Sequence, residues 1–85
     1  MFLDDCSALK CQTDSGANPN KPCIFPFEFG NSIYNCCTFD FSPSNKAWCS
    51  TKVDEAGIHI GGQGNWGYCE EKCQPQSIDV PILFQ

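Results

Sequence analysis

Eight cysteines in 85 residues constrain this chain more than any other feature. A chain of this length buries too small a share of its surface to fold securely on apolar contacts alone, so it needs covalent or metal staples. An even cysteine count in so short a chain reads as a disulfide framework, the pattern of oxidising compartments. A zinc site would call for Cys-x-x-Cys or clustered Cys/His pairs. No such pair occurs, and His59 is the single histidine. The cysteines are therefore read as four disulfides and not as metal ligands, and no cofactor is expected.

The net charge is −5, with five lysines and no arginine. Arginine supplies the bidentate phosphate contacts of nucleic-acid binders, so nucleic acid is not an expected partner. No apolar run approaches the length of a membrane span. Met1-Phe2-Leu3 is too short for a secretion signal, so the sequence reads as a mature secreted form. Residues 1–22 are polar and turn-rich and read as an N-terminal extension carrying Cys6 and Cys11. Residues 23–73 hold the aromatics and the cysteine core. Residues 74–85 read as a flexible tail whose ending, Leu83-Phe84-Gln85, also resembles the cleavage scar of a viral protease. Two short β-prone runs around Gly30-Asn31 predict a hairpin over 25–34. Ile58-His59-Ile60, between glycines, reads as a second small ribbon or a loose loop. No segment shows a capped 3.6-residue apolar period, so no long helix is expected.

The order of residues from Cys23 onward carries more information than composition. It runs Cys23-Ile24-Phe25-Pro26-Phe27-Glu28-Phe29, then Tyr34, Cys37-Thr38, Trp48-Cys49-Ser50-Thr51 and Trp66-Gly67-Tyr68-Cys69. This pattern resembles the fibronectin type II module, a kringle-like fold. The likeness covers residues 23–69. It implies a small disulfide-rich domain with two short antiparallel β-hairpins and long loops. Cys11-Gln12-Thr13-Asp14-Ser15-Gly16 ahead of the core, and the glycine-rich insert before Trp66, also resemble accessory modules of secreted arthropod trypsin-like proteases and their inactive homologues.

Eight cysteines allow roughly a hundred pairings, and spacing alone selects none of them. The resemblance implies Cys23–Cys49 and Cys37–Cys69 for the four core cysteines. By likeness to the outermost kringle bridge it implies Cys11–Cys73, which leaves Cys6 with Cys36.

Type II modules bind through a shallow aromatic patch; denatured collagen and choline headgroups are partners of the family. Rigid aromatic rings give large contact area at small entropic cost and can cage a quaternary ammonium. By motif position the candidates here are Phe29, Tyr34, Asn45, Trp48, Trp66 and Tyr68. Phe25 and Phe27 are assigned to the core, while Trp48 and Trp66 divide between core and binding face. Two departures weaken the expectation of collagen binding. Residues 38–47 lack the arginine of gelatin-binding members, and Lys52-Val53-Asp54 lacks their aromatic. Phe39 and Phe41 either replace the lost aromatic surface or pack against the extra Cys6–Cys36 bridge, and packing is the favoured reading. The lone His59 reads as a surface residue, not a catalyst, and the acidic pairs Asp4-Asp5, Asp54-Glu55 and Glu70-Glu71 lack the spacing of a calcium loop.

The reading is a secreted, monomeric, non-catalytic recognition module of a larger protein such as a serine protease or protease homologue. The rival is a freestanding effector, a protease inhibitor or toxin, presenting a loop over 56–65 with Lys52 as anchor. A purely structural spacer is a third reading. Each bridge is worth about 2–4 kcal/mol, so full reduction is expected to unfold the chain. Near-ultraviolet circular dichroism with and without reductant checks this.

Overall fold

The computed structural model describes residues 6, 10–62 and 64–75. The expected behaviour of residues 1–5 and 76–85 lies outside them. Among the described residues five short strands make two small antiparallel sheets. Strands β2 (Phe27–Phe29) and β3 (Ser32–Tyr34) form a hairpin in the register Phe27↔Tyr34, Glu28↔Ile33, Phe29↔Ser32. Gly30 and Asn31, with φ of 60° and 69°, are its two turn residues. Positive φ at both is what a tight hairpin needs to match strand twist.

The second sheet has the order β1-β5-β4, with β1 at Thr13–Ser15, β4 at Trp48–Ser50 and β5 at Trp66–Cys69. Trp48 faces Tyr68, Cys49 faces Gly67 and Ser50 faces Trp66. Residues 10–22, read from sequence as an extension, thus supply an edge strand of the main sheet, with a bulge between Thr13 and Ser15. The fold is small, disulfide-rich and largely irregular, with a single 3-10 turn at Glu71–Cys73 as the helical element among the described residues.

The bridges are Cys6–Cys36, Cys11–Cys73, Cys23–Cys49 and Cys37–Cys69, the same pairs the family likeness implies. Cys49 and Cys69 are fully buried on adjacent strands. The sulfurs of Cys23, Cys49 and Cys69 lie within 4.8 Å of one another because the two central bridges stack, and all three are engaged in disulfides, so none is a thiolate free for a metal. Phe27, also fully buried, packs against Tyr34 at 5.3 Å and Trp48 at 5.1 Å between ring centres. This joins the hairpin to the main sheet. Cys11–Cys73 spans the largest separation, 62 residues, and ties the flank of β1 to the 3-10 turn. Next to it Gln74 docks on the sheet: its Oε1 accepts Ala47 N–H at 2.9 Å and its Nε2 donates to Cys69 O at 2.8 Å.

Alternation along β5 separates structure from surface, since side chains of a strand point to opposite faces in turn. Gly67 and Cys69 are buried, while Trp66 and Tyr68 lie half-buried on the other face. Gly67 is required by a close approach: a Cβ there would stand 2.7 Å from Thr13 Cβ and 2.9 Å from Asn18 O. Gly67→Ala is therefore expected to push β1 off β5 and to destabilise the fold by about 1–3 kcal/mol, measurable as a lowered urea midpoint.

Candidate functional site

Trp66, on the outward face of β5, packs over Gly16 and meets Tyr68 edge-on at 5.0 Å. Its other neighbour is Trp48, again edge-on at 6.4 Å. Trp48 is buried and fixed, its Nε1–H donating to Asp40 O at 2.7 Å. Asp40 also takes the Tyr34 hydroxyl proton bond on Oδ2 at 2.9 Å, so one residue anchors two of the sequence candidates. Burial, and then this bond to Asp40, raise the Tyr34 pKa.

On the far side of Trp48 stands Phe29, edge-on at 5.7 Å, and against Phe29 lies Phe41 at 5.1 Å. Phe41 has a left-handed backbone, φ 65°, and its ring covers Gly30, whose missing Cβ leaves the room it uses. The ring is nonetheless 66% exposed. A non-glycine residue held there at a cost of about 1–3 kcal/mol is the kind of strain that clusters at ligand sites.

Together Phe29, Phe41, Pro43, Trp48, His59, Gly61, Gly62 and Trp66 line an open groove of about 330 Å³. Trp48 joins its two sides. Of the sequence candidates, Phe29, Trp48 and Trp66 line this groove directly, and Tyr68 buttresses Trp66. Tyr34 instead packs on Phe27 and Asp40, and the exposed Asn45 is not among the lining residues. Phe41, read as packing on the Cys6–Cys36 bridge, lies on Phe29 in the groove, and Phe39 is also largely exposed. A positive-φ phenylalanine leaves no signature in sequence, which is why the sequence offered both readings of Phe41 and did not select this one.

His59 is the larger departure. Expected at the surface, it is buried, because Ile58-His59-Ile60 folds back as a small ribbon. His59 pairs with Val53, its N–H donates to Glu28 O at 2.9 Å, and Glu28 N–H donates to Gly57 O at 2.9 Å. Residues 57–59 of the insert are thus stitched to β2. Phe29 and Trp48 each lie 5.3 Å from the imidazole. Nδ1 sits 2.7 Å from Ser50 Oγ. A serine and histidine at this distance have the geometry of nucleophile and base, yet Ser50 is fully buried and its oxygen meets no substrate.

An open aromatic groove on a disulfide-stapled scaffold defines a small binding domain. The chain belongs to the fibronectin type II family: the family described as "Fibronectin type II domain" matches residues 23–69. Among curated relatives, matrix metalloproteinase-9 of Canis lupus familiaris is 39% identical over 49 residues, 58% of this chain and 7% of that protein. Hepatocyte growth factor activator serine protease of Homo sapiens is 30% identical over 69 residues, 81% of this chain and 10% of that protein. The chain thus spans a tenth or less of these relatives. No solved structure matches it at a comparable level.

Burial lowers the His59 pKa below its ordinary 6.5. In mild acid the unfolded chain then binds a proton that the folded chain does not, so stability rises with pH up to about 6.5 and falls below it. Urea midpoints at pH 5 and 7.5 are expected to show this slope, and His59→Phe is expected to remove it.

Proposed function

We propose that this chain is a secreted, non-catalytic recognition module, folded from Cys11 to Cys73, that holds an extended apolar peptide across its groove. Denatured collagen is the model for such a peptide. The observation that carries the reading is the groove itself: Phe29, Phe41, Trp66 and Pro43 meet solvent along one open trough floored by the buried Trp48. Ordered rings already locked by edge-to-face contacts lose little entropy on binding, and an extended chain offers the length to touch both sides of Trp48.

Phe41 bears on the two departures from the gelatin-binding pattern. It places aromatic surface at the groove where Lys52-Val53-Asp54 provides none. The absent arginine has no such substitute among the lining residues, so affinity for gelatin is expected to be modest. A module of this kind works beside other domains. The protease names of the relatives support a parent protein with a protease or protease-like domain, in which the module gathers a substrate or matrix and performs no chemistry. Solution as a monomer is part of the same reading.

The choline alternative needs ring faces converging on a cation, whereas the rings here meet mainly edge to face. Phosphocholine is therefore the comparison ligand. In a nuclear magnetic resonance titration with gelatin fragments, the Trp66 indole N–H is expected to shift saturably, and phosphocholine to leave it in place. Trp66→Ala is expected to lose about tenfold or more in gelatin affinity while keeping a folded amide spectrum. Unchanged affinity in that folded variant contradicts the assignment of the groove.

A further inference from the structure

His59 is the one titratable side chain among the residues that line the groove, and its surroundings fix what each ring nitrogen does. Ser50 Oγ accepts Lys52 N–H at 3.2 Å and lies 2.9 Å from Lys52 O, so its single proton is directed to that carbonyl. With that proton on Lys52 O, the tautomer that pairs Nδ1, 2.7 Å from the same oxygen, is the one in which Nδ1–H donates. Nε2 is left bare. It has no hydrogen-bond partner among the described residues, and none of their fully buried side-chain nitrogens or oxygens is unpaired, so Nε2 keeps contact with solvent on a residue that lines the groove.

We propose that His59 is the polar recognition point of the groove: positioned by Ser50, its bare Nε2 accepts a hydrogen bond from an N–H or O–H of a peptide lying across Trp48, and protonation of the ring releases that peptide. The proposal rests on the peptide-binding reading and adds its polar specificity and its pH control. Protonation turns the acceptor into a donor, so a ligand N–H would face another N–H, and a positive charge enters a trough of aromatic rings. No neighbouring charge offsets it. The rings packed on His59 are Phe27, Phe29 and Trp48. The ionisable groups on the elements around it are Glu28 on β2 and Lys52, Asp54 and Glu55 in the turn after β4. Asp54 is occupied by the Ala56 and Ile58 amides, Lys52 and Glu55 are exposed, and no described ion pair includes His59. Burial keeps the ring neutral at neutral pH, so release belongs to mild acid below 6.5.

The test uses the wild-type module labelled with 15N-histidine. At pH 8 the imidazole shifts should show a protonated Nδ1 and an unprotonated Nε2. Affinity for fragments of denatured collagen, measured from pH 8 to pH 5 with the amide spectrum as a check of folding, should fall about tenfold or more along the imidazole's own titration. His59→Phe should bind several-fold more weakly at pH 8 and lose the pH dependence. The opposite tautomer overturns the proposal, as does affinity that stays flat while the ring titrates. Both readouts need only the wild type, so they decide even where His59→Phe does not fold. Fragments that fail to bind at every pH overturn the peptide reading, and the nitrogen shifts still decide the state of His59.

Discussion

The stack of Cys23–Cys49 on Cys37–Cys69 is the constraint on which the other features depend. Cys49 and Cys69 sit on neighbouring strands and turn their sulfurs into the same dry space, where Cys23 Sγ lies 3.8 Å from Cys69 Sγ. Strands of three and four residues carry too few hydrogen bonds to hold a sheet together. The bridges do that task, and they let so small a core consist mostly of cystine, Phe27, Ala47 and Trp48.

Once β5 is fixed with Cys69 inward, strand alternation decides the rest. Gly67 must also face inward, where it admits Thr13, and Trp66 and Tyr68 must face out. The outward aromatic face is thus a consequence of where the cystine lies. Phe27 makes the second link. By packing on Trp48 it seats the hairpin so that Phe29 comes up beside the tryptophan, and the Gly30-Asn31 turn then leaves space for Phe41. His59 completes the groove from an insert pinned to Glu28. Groove and core share residues here, and Trp48 belongs to both.

Much of this was legible in the sequence because it was local or carried by a specific motif. The Gly-Asn turn and the buried Phe27 follow from short-range rules and from the motif, while Trp66 stood between core and surface until the alternation along β5 placed it. The parts that were not legible depend on distant partners. Thr13-Asp14-Ser15 is too short and polar to read as a strand, and its partner Cys69 lies far along the chain. Phe41 needs a left-handed backbone that nothing in its neighbours announces. His59 looked exposed because its burial depends on β2 and on Ser50, neither of which a scan of Ile58-His59-Ile60 can see.

The central claim is that this outward aromatic trough is the surface that meets ligand. Intermolecular nuclear Overhauser effects between an isotope-labelled module and an unlabelled gelatin fragment address it most directly. The account predicts contacts from the fragment to the ring protons of Phe29, Phe41 and Trp66. Contacts confined to the other exposed apolar residues, Ile33 and Ile58, would contradict it and place recognition on the hairpin's outer edge.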